Sequence, residues 1–303
     1  MGAALDSNIV SLVFLPASLF LIMFGLGLTL LVADFKRLVE NPRATFLGVG
    51  LQMIVLPLVA FALANALLRE SPVMAMGLMI LAACPGGATS NLITYLARGE
   101  MALSVTLTAI SSFMAVITIP LIIRFSLGWF MGEGETIAPP ILEMIGQVVA
   151  VTILPVSLGM FVRSRSEAFA EKAEKPMKIL SSILLAVIVL GLVANQRDEI
   201  VGFFQEAGLA TLLLNLIMLT LGFLTGAIAR LPLTTRVSLS IEAGIQNGTL
   251  GIAIAAGILG NGQMAIAPAI YSLIMFLTGF IAIAIFSRMV TIEDQKLSSA
   301  SEG

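Results

Sequence analysis

A chain of 303 residues with no histidine and one cysteine lacks most of the side chains from which metal centres and nucleophilic active sites are built. The single cysteine, Cys84, cannot form a disulfide framework. Set in an apolar stretch, it reads as a small buried hydrophobe and says nothing about redox compartment. Without histidine there is no metalloprotease motif, and no pair of aspartates falls inside an apolar segment, which argues against an intramembrane enzyme. Charged residues are scarce at 11%, and a net charge of −2 gives no footing for nucleic acid or another polyanionic partner. Ahead of the first apolar segment stands Asp6 and no Lys or Arg. The cationic start of a secretory signal is therefore missing, and that segment is expected to remain as a span. Asp6 also occupies the position at which a myristoylation pattern after Gly2 needs Ser or Thr.

What the chain does have is apolar surface: 58% hydrophobic residues and a mean hydropathy of +1.06. That is more than a soluble core of this length can hide, so the expectation is an all-α polytopic membrane protein. A helical span needs about 20 apolar residues. Charged and Pro/Gly-rich breaks divide the chain into nine transmembrane helices, at 8–33, 44–68, 73–97, 101–123, 141–161, 178–195, 208–229, 237–259 and 265–287. Within them, Pro16, Pro57, Pro120, Pro155 and Pro268 are expected to mark kinks. An odd number of spans puts the termini on opposite sides. With the N-terminus outside, the cytoplasmic loops and tail hold Lys36, Arg37, Arg43, Arg98, Arg163, Arg165, Lys172, Lys175, Lys178, Arg230, Arg236, Arg288 and Lys296, against Arg69, Arg124 and Arg197 outside. Thirteen basic residues to three sets the orientation, with the C-terminus cytoplasmic. The outer loops carry Glu133, Glu135, Asp198, Glu199 and Glu206, and Trp129 reads as an interfacial anchor. The expected location is the plasma membrane, in a bacterium the inner membrane, surrounded by membrane lipids and with no obligatory protein partner evident.

Two spans are interrupted where a lipid-facing helix would be continuous: the third at Cys84-Pro-Gly-Gly-Ala-Thr-Ser-Asn91 and the eighth at Glu242-Ala-Gly-Ile-Gln-Asn-Gly248. Unwound backbone at membrane depth needs partners for its freed N–H and C=O groups, so it must be buried in protein or face water. If spans one to four form one unit and six to nine another, each break falls in the third helix of its unit, and the units are inverted because one begins outside and the other inside. The halves share no residue-by-residue identity, so the repeat rests on topology. Residues 1–140 then form the first repeat, 141–177 the fifth span and a cytoplasmic connector, 178–290 the second repeat and 291–303 a cytoplasmic tail. Paired broken helices in inverted repeats point to the binding site of a secondary transporter.

Glu242 is the only ionisable side chain deep inside an apolar segment. A carboxylate there costs about 2.5–3.5 kcal/mol on insertion scales, so a cation, a proton or a water-filled cavity is expected beside it. Ser90 and Asn91 at the first break offer oxygen ligands, and Ser104 and Thr108 lie four residues apart on one helical face of the next span. The unwound stretch from Ala243 to Gln246 frees carbonyls, and Gln52 is an uncharged oxygen donor stranded midway along the second span. Oxygen ligands with one carboxylate suit a hard monovalent cation such as sodium. Ser and Thr in membrane helices also bond back to their own carbonyls, which is the alternative reading of Ser104 and Thr108. The 16 methionines serve as core filling, or as the flexible wall of an apolar substrate cavity.

Three segments, Met23-Phe-Gly-Leu-Gly-Leu-Thr-Leu30, Cys84–Asn91 with Tyr95-Leu-Ala-Arg-Gly99, and Ile241-Glu-Ala-Gly-Ile-Gln-Asn247, resemble the bile acid:sodium symporter family in order and spacing through nearly the whole chain. The resemblance implies a core domain of six spans packed against a panel domain, with the two broken helices crossing in the core. Some bacterial relatives have an extra first helix, giving ten spans; by the same resemblance this chain, which begins directly at the second, is expected to look like the nine-span members. By the same resemblance, one sodium site is Ser90, Asn91, Ser104, Thr108 and Glu242. A second is Gln52, Glu242 and Gln246 with the carbonyls of Ala243 and Ile245. Ala88, Thr89, Asn247 and Gly248 become substrate-binding candidates through backbone N–H groups at half-helix N-termini, which favour an anionic head group. The last span departs from the family pattern: Met275 and Phe276 stand where some relatives place polar substrate contacts, and they favour a substrate with an apolar body. The expectation is a symporter of two sodium ions with an organic anion, either bile-acid-like or a small carboxylate such as pantoate or a keto acid, working by alternating access. Proton coupling through Glu242, a channel and an intramembrane enzyme are the alternatives.

Overall fold

The computed structural model describes residues 15–31, 42–132, 140–195 and 200–301. Their helices in chain order are α1 (Leu15–Gly27), α2 (Pro42–Leu67), α3 (Pro72–Ala83), α4 (Ala88–Leu96), α5 (Met101–Phe130), α6 (Ile141–Arg165), α7 (Glu167–Asn195), α8 (Ile200–Ile228), α9 (Leu233–Gly244), α10 (Gly248–Ile258) and α11 (Ile266–Ser301). There is no strand among the described residues, only an isolated antiparallel bridge between Gly86 and Gln246. Asp6, Lys36, Arg37, Glu133, Glu135, Arg197, Asp198 and Glu199, used above for topology, lie outside the described residues, as do the ends of the expected first span.

Among the described residues, five helices, α2, α5, α6, α8 and α11, are long and apolar enough to cross a membrane. Side chains such as Ile54, Leu58, Ile117, Leu121, Leu277 and Phe280 face outward, while Gln52, Asn91, Asn215, Glu242 and Gln246 are buried. Apolar outside and polar inside is the arrangement that hydrocarbon demands, and the protein is integral to the membrane. The two interrupted helices are buried along the stretches that flank the breaks, while Leu92, Tyr95 and Leu96 of α4 stay exposed. Every residue from Met74 to Ala83 in α3 is buried, as is every residue from Val237 to Gly244 in α9 and from Gly248 to Ala253 in α10.

Among the described residues, three helices contain a π-helical turn: Leu51–Val55 in α2, Val149–Ile153 in α6 and Ile254–Ile258 in α10. The first two are each followed by Leu-Pro, Leu56-Pro57 and Leu154-Pro155. A proline offers no N–H and crowds the carbonyl four residues back, and a widened turn just ahead of it accommodates both defects. Pro268 differs from the expectation of a kink. It lies in the first turn of α11, where no intrahelical bond is lost.

Several helices outrun their hydropathic limits. The fourth span continues to Phe130 rather than 123, α7 starts at Glu167 rather than 178, α8 starts at Ile200 rather than 208, and α11 runs through the expected tail to Ser301. Hydropathy senses the bilayer, whereas a helix persists wherever propensity allows. The stretch Glu167-Ala-Phe-Ala-Glu-Lys-Ala-Glu-Lys175 is rich in strong helix formers.

Candidate functional site

The α3–α4 helix breaks at Cys84, whose backbone is extended, because Pro85 cannot continue the hydrogen-bond ladder and Gly86-Gly87 follow it. Its counterpart breaks at Ile245, also extended, and restarts at α10, where the Asn247 side chain accepts from Leu250 N–H at 3.0 Å as an N-cap. The two breaks meet. Gly86 pairs with Gln246, and Asn247 N–H donates to Pro85 O at 2.9 Å. Each unwound segment thus supplies hydrogen-bond partners for the other, which satisfies the requirement that membrane-buried backbone be paired. A Cβ at Gly86 would run into the Glu242 carboxylate, so any larger residue there must displace it.

Glu242, 3% exposed, lies in the last turn of α9. Thr108 Oγ1 donates to its Oε1 at 2.5 Å and Ser104 Oγ to its Oε2 at 3.0 Å. Asn91 Oδ1 sits 2.8 Å from Ser104 Oγ and 3.3 Å from Thr108 Oγ1. Ser90, whose hydroxyl donates to Gly87 O at 2.7 Å, also lies against the carboxylate. The four-residue spacing of Ser104 and Thr108 on α5 does what helical geometry requires and points both hydroxyls at one group. As the Asn91 amide is oriented, two hydroxyl protons serve three acceptor oxygens, Asn91 Oδ1 and the two of Glu242, with the two hydroxyl oxygens beside them. An excess of oxygen lone pairs over protons, closed off from water around one carboxylate, is the donor set of a hard cation.

The second polar cluster spans both breaks. Gln52, carried inward on the π turn of α2 and 3% exposed, donates through Nε2 to Cys84 O at 3.0 Å and to Gln246 Oε1 at 2.6 Å. Gln246 Nε2 in turn donates to Gln52 Oε1 at 3.3 Å and to Ala243 O at 2.8 Å. The neighbouring carbonyls fix these amide orientations. Turning either amide over would set its oxygen against Cys84 O or Ala243 O.

All four substrate-binding candidates, Ala88, Thr89, Asn247 and Gly248, line one cavity of about 40 Å³ together with Gly87, Gln246, Thr249, Met275 and, from α1, Ile22 and Met23. That volume holds about one water molecule. Met23 forms part of its wall, and its sulfur accepts from Asn247 Nδ2 at 3.9 Å. Two of the four expected N–H donors are engaged by protein carbonyls, Asn247 by Pro85 O and Gly248 by Gln246 O. Met275 reaches this cavity and Phe276 does not line it.

Sequence reasoning missed Ile22 and Met23, for which an apolar residue in an apolar span gives no signal. It also missed Asn215, an amide stranded in an apolar run in the same way as Gln52. A larger apolar groove of about 310 Å³ between α8, α9 and α11 lies elsewhere. Its polar side chains Thr220, Ser240 and Thr278 all donate to nearby helix carbonyls, so it offers no ligand chemistry.

A helical bundle that buries one carboxylate among hydroxyls and amides at paired helix breaks has the build of an ion-coupled secondary transporter. The chain belongs to the Sodium Bile acid symporter family, whose sequence profile matches residues 16–203. It is 32% identical over 274 residues to the uncharacterized sodium-dependent transporter YocS of Bacillus subtilis (strain 168), covering 89% of this chain and 82% of that one. It is 30% identical over 266 residues to the probable sodium/metabolite cotransporter BASS1, chloroplastic, of Arabidopsis thaliana, covering 88% of this chain and 65% of the relative. With the ileal sodium/bile acid cotransporter of Homo sapiens it shares 30% identity over 256 residues, 80% of this chain and 70% of that one. The protein is a membrane transporter and not an enzyme, and its family's coupling ion is sodium.

Proposed function

We propose that this protein is a symporter that carries an organic anion inward with two sodium ions by alternating access. The observation that carries the reading is the oxygen-rich, proton-poor cluster around Glu242, built from both helix breaks. One sodium ion binds among Ser90, Asn91, Ser104, Thr108 and Glu242. A second binds among Gln52, Glu242, Gln246 and the carbonyls of Ala243 and Ile245. With each broken pair counted as one crossing, the described helices support nine spans. Packing of α1 against α6 and α7, and of the remaining crossings on one another, supports a three-span panel and a six-span core. The N-terminus faces outside and the C-terminus the cytoplasm.

The substrate occupies the cavity at Ala88, Thr89, Asn247 and Gly248 when Met23 withdraws. Free N–H groups at the start of α4 take its anionic head, and Met23 and Met275 take an apolar body. This chemistry fits bile-acid-like steroids as well as pantoate or a keto acid. Proton coupling is the second reading, because Glu242 is the one carboxylate at the breaks. It gives no use to the Asn, Ser and Gln oxygens around it.

The test is a thermal-shift screen of the purified protein against carboxylates in sodium or in choline chloride at fixed pH, followed by uptake into proteoliposomes. Stabilisation by a carboxylate only when sodium is present, with uptake driven by a sodium gradient, is expected. Uptake driven equally by a proton gradient without sodium overturns the reading.

A further inference from the structure

Breaking α9 orphans the last carbonyls of the helix. In an unbroken helix Gly244 O would accept from Gly248 N–H, but that group donates to Gln246 O at 3.0 Å instead. Gly244 O is taken over by two side chains from two other helices. Asn215 Nδ2, on α8, donates to it at 2.7 Å, and Tyr271 Oη, on α11, donates to it at 2.7 Å. The second amide hydrogen of Asn215 reaches Tyr271 Oη at 3.4 Å, which closes a triangle. Both side chains are 0% exposed.

The orientation of Asn215 shows which contact matters. Its Oδ1 is buried with no hydrogen-bond partner, which is a destabilising arrangement. Turning the amide over would not relieve it, because the oxygen would then face Gly244 O. The side chain leaves its own acceptor unmet to keep a donor on this one carbonyl. On either side of that carbonyl stand the groups of the second cluster: Ala243, whose oxygen accepts from Gln246, and Ile245, where the extended backbone begins. Glu242 lies two residues back.

We propose that Asn215 and Tyr271 are positioning residues for sodium: they hold the C-terminal end of α9 so that Glu242 and the flanking carbonyls keep a fixed spacing around the ion. This inference rests on the sodium-site reading above. Neither residue touches the ion. They act through Gly244 O, with two donors on one acceptor. Loss of one donor leaves the end of α9 tethered, and loss of both lets it relax. The consequence is a cage whose size is held from behind, so the clamp should govern alkali-ion selectivity as well as affinity.

The experiment titrates the purified full chain with sodium and with lithium, reading thermal stability, for Tyr271→Phe, Asn215→Leu, the double variant and Gln246→Ala. Tyr271→Phe should raise the half-saturating sodium concentration about threefold, and the double variant at least about tenfold, with the lithium-to-sodium affinity ratio altered in both. A merely structural role predicts the opposite pattern: lower stability without sodium and an unchanged ion ratio. Under the clamp, Asn215→Leu keeps or raises sodium-free stability because the unmatched Oδ1 disappears with the amide. If the double variant fails to fold, Tyr271→Phe decides alone, since it deletes one oxygen and conserves the ring. Native sodium affinity and ion ratio in Tyr271→Phe and in any folded double variant, alongside a shift in Gln246→Ala, overturn the clamp and spare the sodium site. No shift in Gln246→Ala either overturns the site itself and the clamp with it.

Discussion

Around Glu242, two hydroxyl protons are divided among three acceptors, whereas at Gln52 and Gln246 four amide N–H groups meet four oxygens with none left over. The first cluster lacks positive charge and is complementary to a cation as it stands. The second is saturated, and its donors hold Cys84 O and Ala243 O, the latter one of the carbonyls proposed for the ion. For a cation to enter, both glutamines must turn their oxygens inward. On the proposed function this sets an order: the carboxylate cluster fills first, and filling the glutamine cluster releases side chains that tie α2 to both breaks. The second ion is therefore the one whose binding can be felt by the rest of the fold.

The largest expected effect removes what the two clusters share. Glu242→Ala should lower sodium-dependent uptake about 100-fold or more while leaving membrane insertion intact, since the carboxylate costs about 2.5–3.5 kcal/mol to insert. Uptake and expression measured in parallel check it, and normal sodium dependence would reduce the carboxylate to a structural group. Next in size is the electrical consequence of occupying both clusters. Two sodium ions with one monovalent anion move a net charge of +1 per cycle, worth about 2.3 kcal/mol per 100 mV. A potassium-diffusion potential, negative inside, should therefore raise accumulation in vesicles by up to about 50-fold per 100 mV, and no response to potential would leave one cluster without an ion.

Gly86→Ala should cost about tenfold in sodium affinity, because the added methyl meets the carboxylate and spreads the paired breaks; a sodium titration of stability reads it. The smallest effects separate the clusters. Asn91→Ala and Gln246→Ala should each raise the half-saturating sodium concentration about threefold to tenfold. Only Gln246→Ala should bring the Hill coefficient of uptake down to about 1. Equal Hill coefficients in the two variants would erase the distinction between a prepared site and one that must rearrange.

The polar half of this architecture was legible because hydrocarbon penalises it: Glu242, Gln52, Ser90 and Asn91 stand out against apolar sequence, and the geometry brings them together. Asn215 carried the same signal and was passed over. What sequence could not show is of two kinds. Ile22 and Met23 line the candidate substrate cavity, yet an apolar side chain facing a site reads like one facing the core. The π turns are the other kind. Each shifts helical phase by a fraction of a turn, too little to register in a pattern, although Leu-Pro at Leu56 and Leu154 was visible beforehand.

The pairing of Gly86 with Gln246, reinforced by Asn247 N–H on Pro85 O, converts two discontinuities into a weld. An isolated helix break is a flexible elbow that dissipates force as local bending. Two breaks stitched to each other transmit torque, so a push on any one of the four half-helices is delivered to the other three. On the proposed function, cargo seated at such a joint would travel as a passenger on a rigid body and would not be squeezed through a deforming one. The amide hydrogen of Asn247, in a stretch that is not helical at all, should accordingly exchange with solvent as slowly as those of the helices around it.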